Sequence, residues 1–204
     1  MKPYLLLKPY FQNHLETFSE GLEKYDLTID GVFKVDNWKE FSLVIYKNTV
    51  EKEGEEFEVG LCGHLELISY FFGNRAILVT FLEKSYQKVL ELKKYIRATL
   101  KGGPHSNDIL VCMNLDKIKI PKSELLQTRG KLGVSLEKGG FTSLSPETGL
   151  WDYYYFKYVH TPDTYKECVE EFEKINQLGI FKKENEIPIE TFNKMVKLGT
   201  YTLS

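Results

Sequence analysis

The chain has 204 residues, with 27 basic against 29 acidic side chains and a formal net charge of -2. That length suits one domain with an appendage and a sizeable core, and the balanced charge argues against a partner that is nucleic acid or a membrane surface. Three scattered cysteines (Cys62, Cys112, Cys168) with no CxxC pair indicate a reduced, cytoplasmic chain lacking disulfides and a zinc site.

The opening, Met1 to Pro9, is too short and too soon interrupted for a signal peptide. No run of about 18 apolar residues exists to span a membrane. Tyr4 to Leu7 is a continuous apolar run between Pro3 and Pro9, the pattern of a buried central strand. Phe11, Leu15, Phe18 and Leu22 then recur at helical spacing, with Gly21 a mild defect. Leu27 to Val35 alternates around Asp30-Gly31 and reads as strand. Trp38 to Tyr46 reads as helix, and Lys47 to Glu58 as a charged, mobile connection. Leu61 to Phe72 is apolar at helical intervals and stops at Gly73-Asn74. Ala76 to Leu82 is a second buried strand. Tyr86 to Leu100 is an amphipathic helix with Val89, Leu90, Leu92 and Ile96 inside, ended by Gly102-Gly103-Pro104.

From Pro104 to Leu150 the pattern loosens: Ile109 to Met113 suits a short strand, and Ile118 to Pro121 and Gly139 to Gly149 read as loops. The aromatic stretch Tyr153 to Val159 reads as a strand that delivers His160 to the start of a helix. Thr161 is placed to cap that helix and Pro162 to sit in its first turn. Tyr165, Cys168/Val169, Phe172 and Ile175 mark the helix's apolar face; Asp163, Glu167 and Glu171 form a carboxylate column at spacings of four. Backbone N–H groups and the dipole at such a helix mouth favour an anion, so a phosphate could meet His160 there. On its own, His160 also fits an ordinary strand-end histidine. Gly179 closes the helix, and Pro188 to Leu198 is one more amphipathic helix. The order of elements implies an α/β (α+β) fold: a ferredoxin-like sandwich with a mainly antiparallel sheet flanked by helices, with insertions and a C-terminal helix.

These residues resemble the nucleoside diphosphate kinases. That family carries a phosphorylated histidine in a strand–His–Gly–Ser–Asp–Ser–helix segment, with a glutamate eleven residues after the histidine. Here His160-Thr161-Pro162-Asp163-Thr164 is followed by Glu171 at the same separation. The family's Lys-Pro-Asp after the first strand is matched by Lys8-Pro9-Tyr10, and its Thr-Ile-Arg-Gly by Gln127-Thr128-Arg129-Gly130. Its other phosphate arginine falls near Lys94 or Arg97, and Tyr46 matches a tyrosine on the preceding helix. Thr161, Pro162, Lys157 and Tyr10 depart from the family pattern around the nucleotide pocket, and the base-stacking phenylalanine has no clear counterpart.

The resemblance implies a kinase-like domain over 1–182, with insertions at about 103–126 and 134–152, and a C-terminal helical extension over 183–204. It implies a nucleotide-binding, cytoplasmic homo-oligomer that moves a γ-phosphate from ATP or another nucleoside triphosphate through a phosphohistidine at His160. Glu171 would orient the ring. Lys8, Tyr46, Arg97 and Arg129 would bind nucleotide and phosphate; with only three arginines in the chain, the two among them carry added weight. Mg²⁺ would arrive with the phosphates, Asp163 touching its water shell. The alternative is a weak or inactive nucleotide-binding module on the same fold.

Overall fold

The computed structural model describes residues 1–55, 58, 61, 65, 69, 73–101, 141–144, 151–153 and 159–198. They form a mixed α+β structure with a four-stranded antiparallel sheet and flanking helices. Its strands are β1 (Tyr4–Leu7), β2 (Ile29–Val35), β3 (Ala76–Phe81) and β6 (Val159–His160), in the order β2-β3-β1-β6. β1 and β3 are buried along their whole length, as two central strands covered on both faces must be.

Register decides which side chains share a face, because directly paired residues point the same way. Tyr4 pairs with Thr80, and Leu6 pairs with both Leu78 and His160, so Tyr4, Leu6, Thr80 and His160 lie on one face. Leu5, Leu7, Val79 and Val159 point to the other. Each such aliphatic side chain, fully buried, stabilises the fold by about 1.5–3 kcal/mol.

A 3-10 helix (Pro9–His14) follows β1 and leads into α1 (Leu15–Lys24), which buries Leu15 and Phe18. Gly21 is no defect. A methyl group there would stand 2.3 Å from Leu92 Cδ1, so glycine is what lets α1 approach α4 (Tyr86–Lys101). The expected inner face of α4 is observed, with Val89, Leu90, Leu92 and Ile96 all buried. α2 (Trp38–Ile45) follows β2 and buries Trp38, Phe41 and Ile45. Near the C-terminus α6 (Ile189–Leu198) packs on α1, with Phe192 edge-on to Phe18 at 6.0 Å, and Ile187 N–H donates to Val32 C=O.

Contacts divide the chain into two compact units, Met1–Ile45 with Asn74–Thr99 and Lys157–Ser204, and Tyr46–Gly73 with Leu100–Phe156. In the second, Lys47–Glu53 is a helix, α3, where a mobile connection was expected. Helix-favouring Lys and Glu residues, with Lys47 and Glu51 one turn apart, outweigh the lack of an apolar face. Gly54, at φ 87°, ends it. Leu61, Leu65 and Ser69 are helical, as the spacing predicts, with Leu65 buried. Phe141–Leu144, expected as loop, is strand β4 and pairs antiparallel with β5 (Trp151–Tyr153) in a separate two-stranded sheet. The expected strand Tyr153 to Val159 therefore has its ends in different sheets. The expected strand Ile109 to Met113 and most of both insertions lie outside the described residues. Among the described residues no helix is long and apolar enough to cross a membrane.

Candidate functional site

The end of β6 places His160 on the sheet face covered by α5 (Tyr165–Gln177). Its Nε2 lies 2.8 Å from Glu171 Oε2, so the separation of eleven residues brings ring and carboxylate together. The same Oε2 accepts a hydrogen bond from the hydroxyl of Tyr4, a wholly buried residue. Because Glu171 only accepts when ionised, Nε2 carries the proton, and in the neutral ring Nδ1 carries the lone pair. Burial holds the His160 pKa below its ordinary 6.5; the charges of Lys8 and Lys93 push the same way, against the opposing pull of Glu171. The ring is therefore neutral at pH 7.

Lys8, at the junction of β1 and the 3-10 helix, is buried at 4% exposure rather than facing water. Lys93 was not singled out by the sequence reading, yet it is 2% exposed. Its Nζ donates to Thr161 C=O and to Asp163 Oδ1, both at 2.6 Å. Tyr86, two turns earlier on α4, donates its hydroxyl to Pro162 C=O at 3.1 Å. One face of α4 thus grips the three residues that follow His160. Burial, with lesser contributions from Cys168, Asp163 and Glu167, pushes the Tyr86 phenol up to about 12, so it stays a donor.

The helix mouth differs from expectation. α5 starts at Tyr165, and Thr164, not Thr161, is its N-cap, in a capping box with Glu167. Thr161 and Pro162 belong to the turn gripped by α4. Glu167 N–H donates to Thr164 Oγ1 and Thr164 N–H donates to the Glu167 carboxylate, so an acidic side chain stands at the expected anion seat; positive charge near the ring comes from Lys8 and Lys93 instead. The carboxylate column separates into three tasks: Asp163 on Lys93, Glu167 in the cap, Glu171 on His160. Of the expected apolar face, Cys168 and Ile175 are buried, whereas Tyr165 is 55% exposed beside Tyr86. Burial and the nearby Glu171 push the Cys168 thiol up to about 12, which disqualifies it as a nucleophile.

Arg97 is half-buried one turn beyond Lys93 on α4, and its Nε makes no hydrogen bond among the described residues. Tyr46 lies in the second unit and opens α3, its C=O accepting from Val50 N–H. Arg129 lies outside the described residues. His14 is buried against Phe11, a packing role. For a metal, no group of three His, Cys, Asp or Glu side chains converges among the described residues. Asp163, 84% exposed, has Oδ1 engaged by Lys93.

No family model matches the chain, and neither does a curated protein or a solved structure.

Proposed function

We propose that the protein is a nucleoside diphosphate kinase-like phosphotransferase on a ferredoxin-like sandwich, with His160 as the group that takes the phosphoryl. The observation that carries this reading is the His160–Glu171 pair: a neutral ring whose Nε2–H is held by the carboxylate at 2.8 Å, which assigns the nucleophilic role to Nδ1. The strand order supports the fold. β1 and β2 are parallel to each other, as are β3 and β6, and each pair is separated in the sheet by a strand of the other.

In the reaction His160 Nδ1 attacks the γ-phosphorus of a nucleoside triphosphate. An N–P bond forms, the bond to the bridging oxygen breaks, and the nucleoside diphosphate departs. The positive charge that develops on the ring is stabilised through Nε2–H by Glu171, itself held by Tyr4. A diphosphate acceptor then attacks phosphorus, the N–P bond breaks and the neutral ring is restored. Lys8 and Lys93, both buried close enough to act on the ring, supply charge of the sign that favours phosphate. Mg²⁺ would be held mainly by the substrate phosphates, and the Lys93 ion pair limits Asp163 to a contact through water. Roles for Tyr46, Arg97 and Arg129 in binding the nucleotide, a homo-oligomeric state and a cytoplasmic location rest on the family resemblance.

The capped, acidic helix mouth favours a second reading, a nucleotide-binding module without transfer. Incubation with γ-labelled ATP and Mg²⁺ separates the two. Acid-labile label that is absent in His160→Ala and discharged by a nucleoside diphosphate supports transfer. ATP binding without label refutes it.

A further inference from the structure

The same sheet face carries a concavity at its far edge, over β2 and β3, with β1 between it and His160. The cavity holds about 490 Å³, within the range of small-molecule sites. Its apolar wall is three phenylalanines from three segments. Phe181 stacks on Phe172 of α5 at 4.8 Å and meets Phe33 of β2 edge-on at 5.2 Å. Two local features of β2 shape the floor. Between Ile29 and Gly31 the register with β3 shifts, so Asp30 is the extra residue of a bulge, a device that re-aims a side chain. Gly31 lets the Phe33 ring and the Thr80 hydroxyl close over the strand: a methyl there would stand 2.9 Å from the ring and 3.1 Å from Thr80 Oγ1.

Asp30 is the polar centre of this floor. Its Oδ2 lies 3.4 Å from the buried Thr80 hydroxyl, whose single proton it shares with Gly31 C=O at 3.3 Å, and pairs with Lys2 Nζ at 2.7 Å. Lys2 is 48% exposed, and an ion pair with so exposed a lysine contributes little and exchanges readily with water. The chain's own ammonium therefore stands at a place where a ligand's ammonium fits. Glu83 also lines the cavity, but the terminal ammonium lies 3.4 Å from it, so the argument rests on Asp30. A partly sunken carboxylate beside aromatic rings attracts a cation and repels phosphate or carboxylate.

We propose that this cavity binds a small aromatic amine, its ring against Phe33, Phe172 and Phe181 and its ammonium on Asp30 in place of Lys2. The site is independent of the chemistry at His160. Calorimetric titration of the full chain with tryptamine and with indole-3-acetate, equal in ring and opposite in charge, tests it.

Tryptamine should bind about tenfold more tightly than the acid, and Asp30→Asn, which keeps the shape, should cut that preference to about threefold or less. Lys2→Met should tighten tryptamine binding by removing the internal competitor, a gain that a merely structural role for Lys2 would not produce. His160→Ala should leave it unchanged. Equal binding of the two probes, a preference that survives Asp30→Asn, weaker binding in Lys2→Met, loss of binding in His160→Ala, or no heat from tryptamine at millimolar concentration would each overturn the proposal.

Discussion

Replacing Tyr4 by phenylalanine isolates the hydrogen bond that anchors Glu171. Tyr4 is wholly buried in β1, and phenylalanine keeps its ring and packing, so only the hydroxyl is lost. A hydrogen bond to a charged acceptor contributes about 1.5–3 kcal/mol. Glu171 keeps its bond to His160, and its side chain is 16% exposed, so water can partly replace the phenol. The lower end of that range therefore applies, about 1.5–2 kcal/mol. Urea denaturation at neutral pH, followed by far-ultraviolet circular dichroism, reads this as a lowered midpoint with an unchanged slope. Combining Tyr4→Phe with Glu171→Met completes a double-mutant cycle, and a coupling of about 1 kcal/mol or more is expected. Additive losses would mean that Tyr4 and Glu171 do not act as a unit, and the anchored-carboxylate argument would fail.

Three further outcomes follow from other contacts. Lys93→Met removes both bonds to the turn after His160 and leaves the Thr161 carbonyl without that donor, so a loss of about 1–3 kcal/mol is expected, together with a lower rate of His160 phosphorylation. Gly21→Ala should lose about 1–3 kcal/mol in the same denaturation assay despite alanine's better helix propensity, because Leu92 Cδ1 occupies the space of the methyl. His160 should make stability fall with acid. Its folded pKa lies below the ordinary 6.5, so as pH drops through 6.5 the unfolded chain takes up a proton first and gains. The loss grows until the folded pKa is passed. Between pH 7.5 and pH 5.5, about a unit either side of the ordinary value, wild type should lose more stability than His160→Gln.

Central elements were legible because their patterns are unambiguous. A strand buried on both faces reads as an apolar run; Tyr4 to Leu7 is one, and so is Ala76 to Phe81 apart from the buried Thr80, although Leu82, expected in the strand, lies exposed beyond its end. The His160–Glu171 pair was expected from the family resemblance, and the contact forms because the separation of eleven crosses a turn and reaches the second turn of α5. Two residues of the site were missed although each left a mark. Lys93 lies four residues after Val89 and three before Ile96, on the buried stripe of α4, and a lysine placed there needs an acceptor. Tyr4 opens a wholly apolar strand, where a phenol must find a partner. The helix start was misplaced because Thr161-Pro162 satisfies the same local preferences as Thr164 with Glu167; the choice is made by Lys93 and Tyr86, which hold residues 161–163 out of the helix. Tertiary contacts of that kind leave no trace in local spacing.

Phosphorus–proton NMR of the protein after reaction with ATP and Mg²⁺ would locate the bound phosphoryl on the histidine ring. With Nε2 committed to Glu171, phosphoryl on Nδ1 of His160 is the expected result. Phosphoryl on Nε2, or on a residue other than His160, would contradict the assigned geometry.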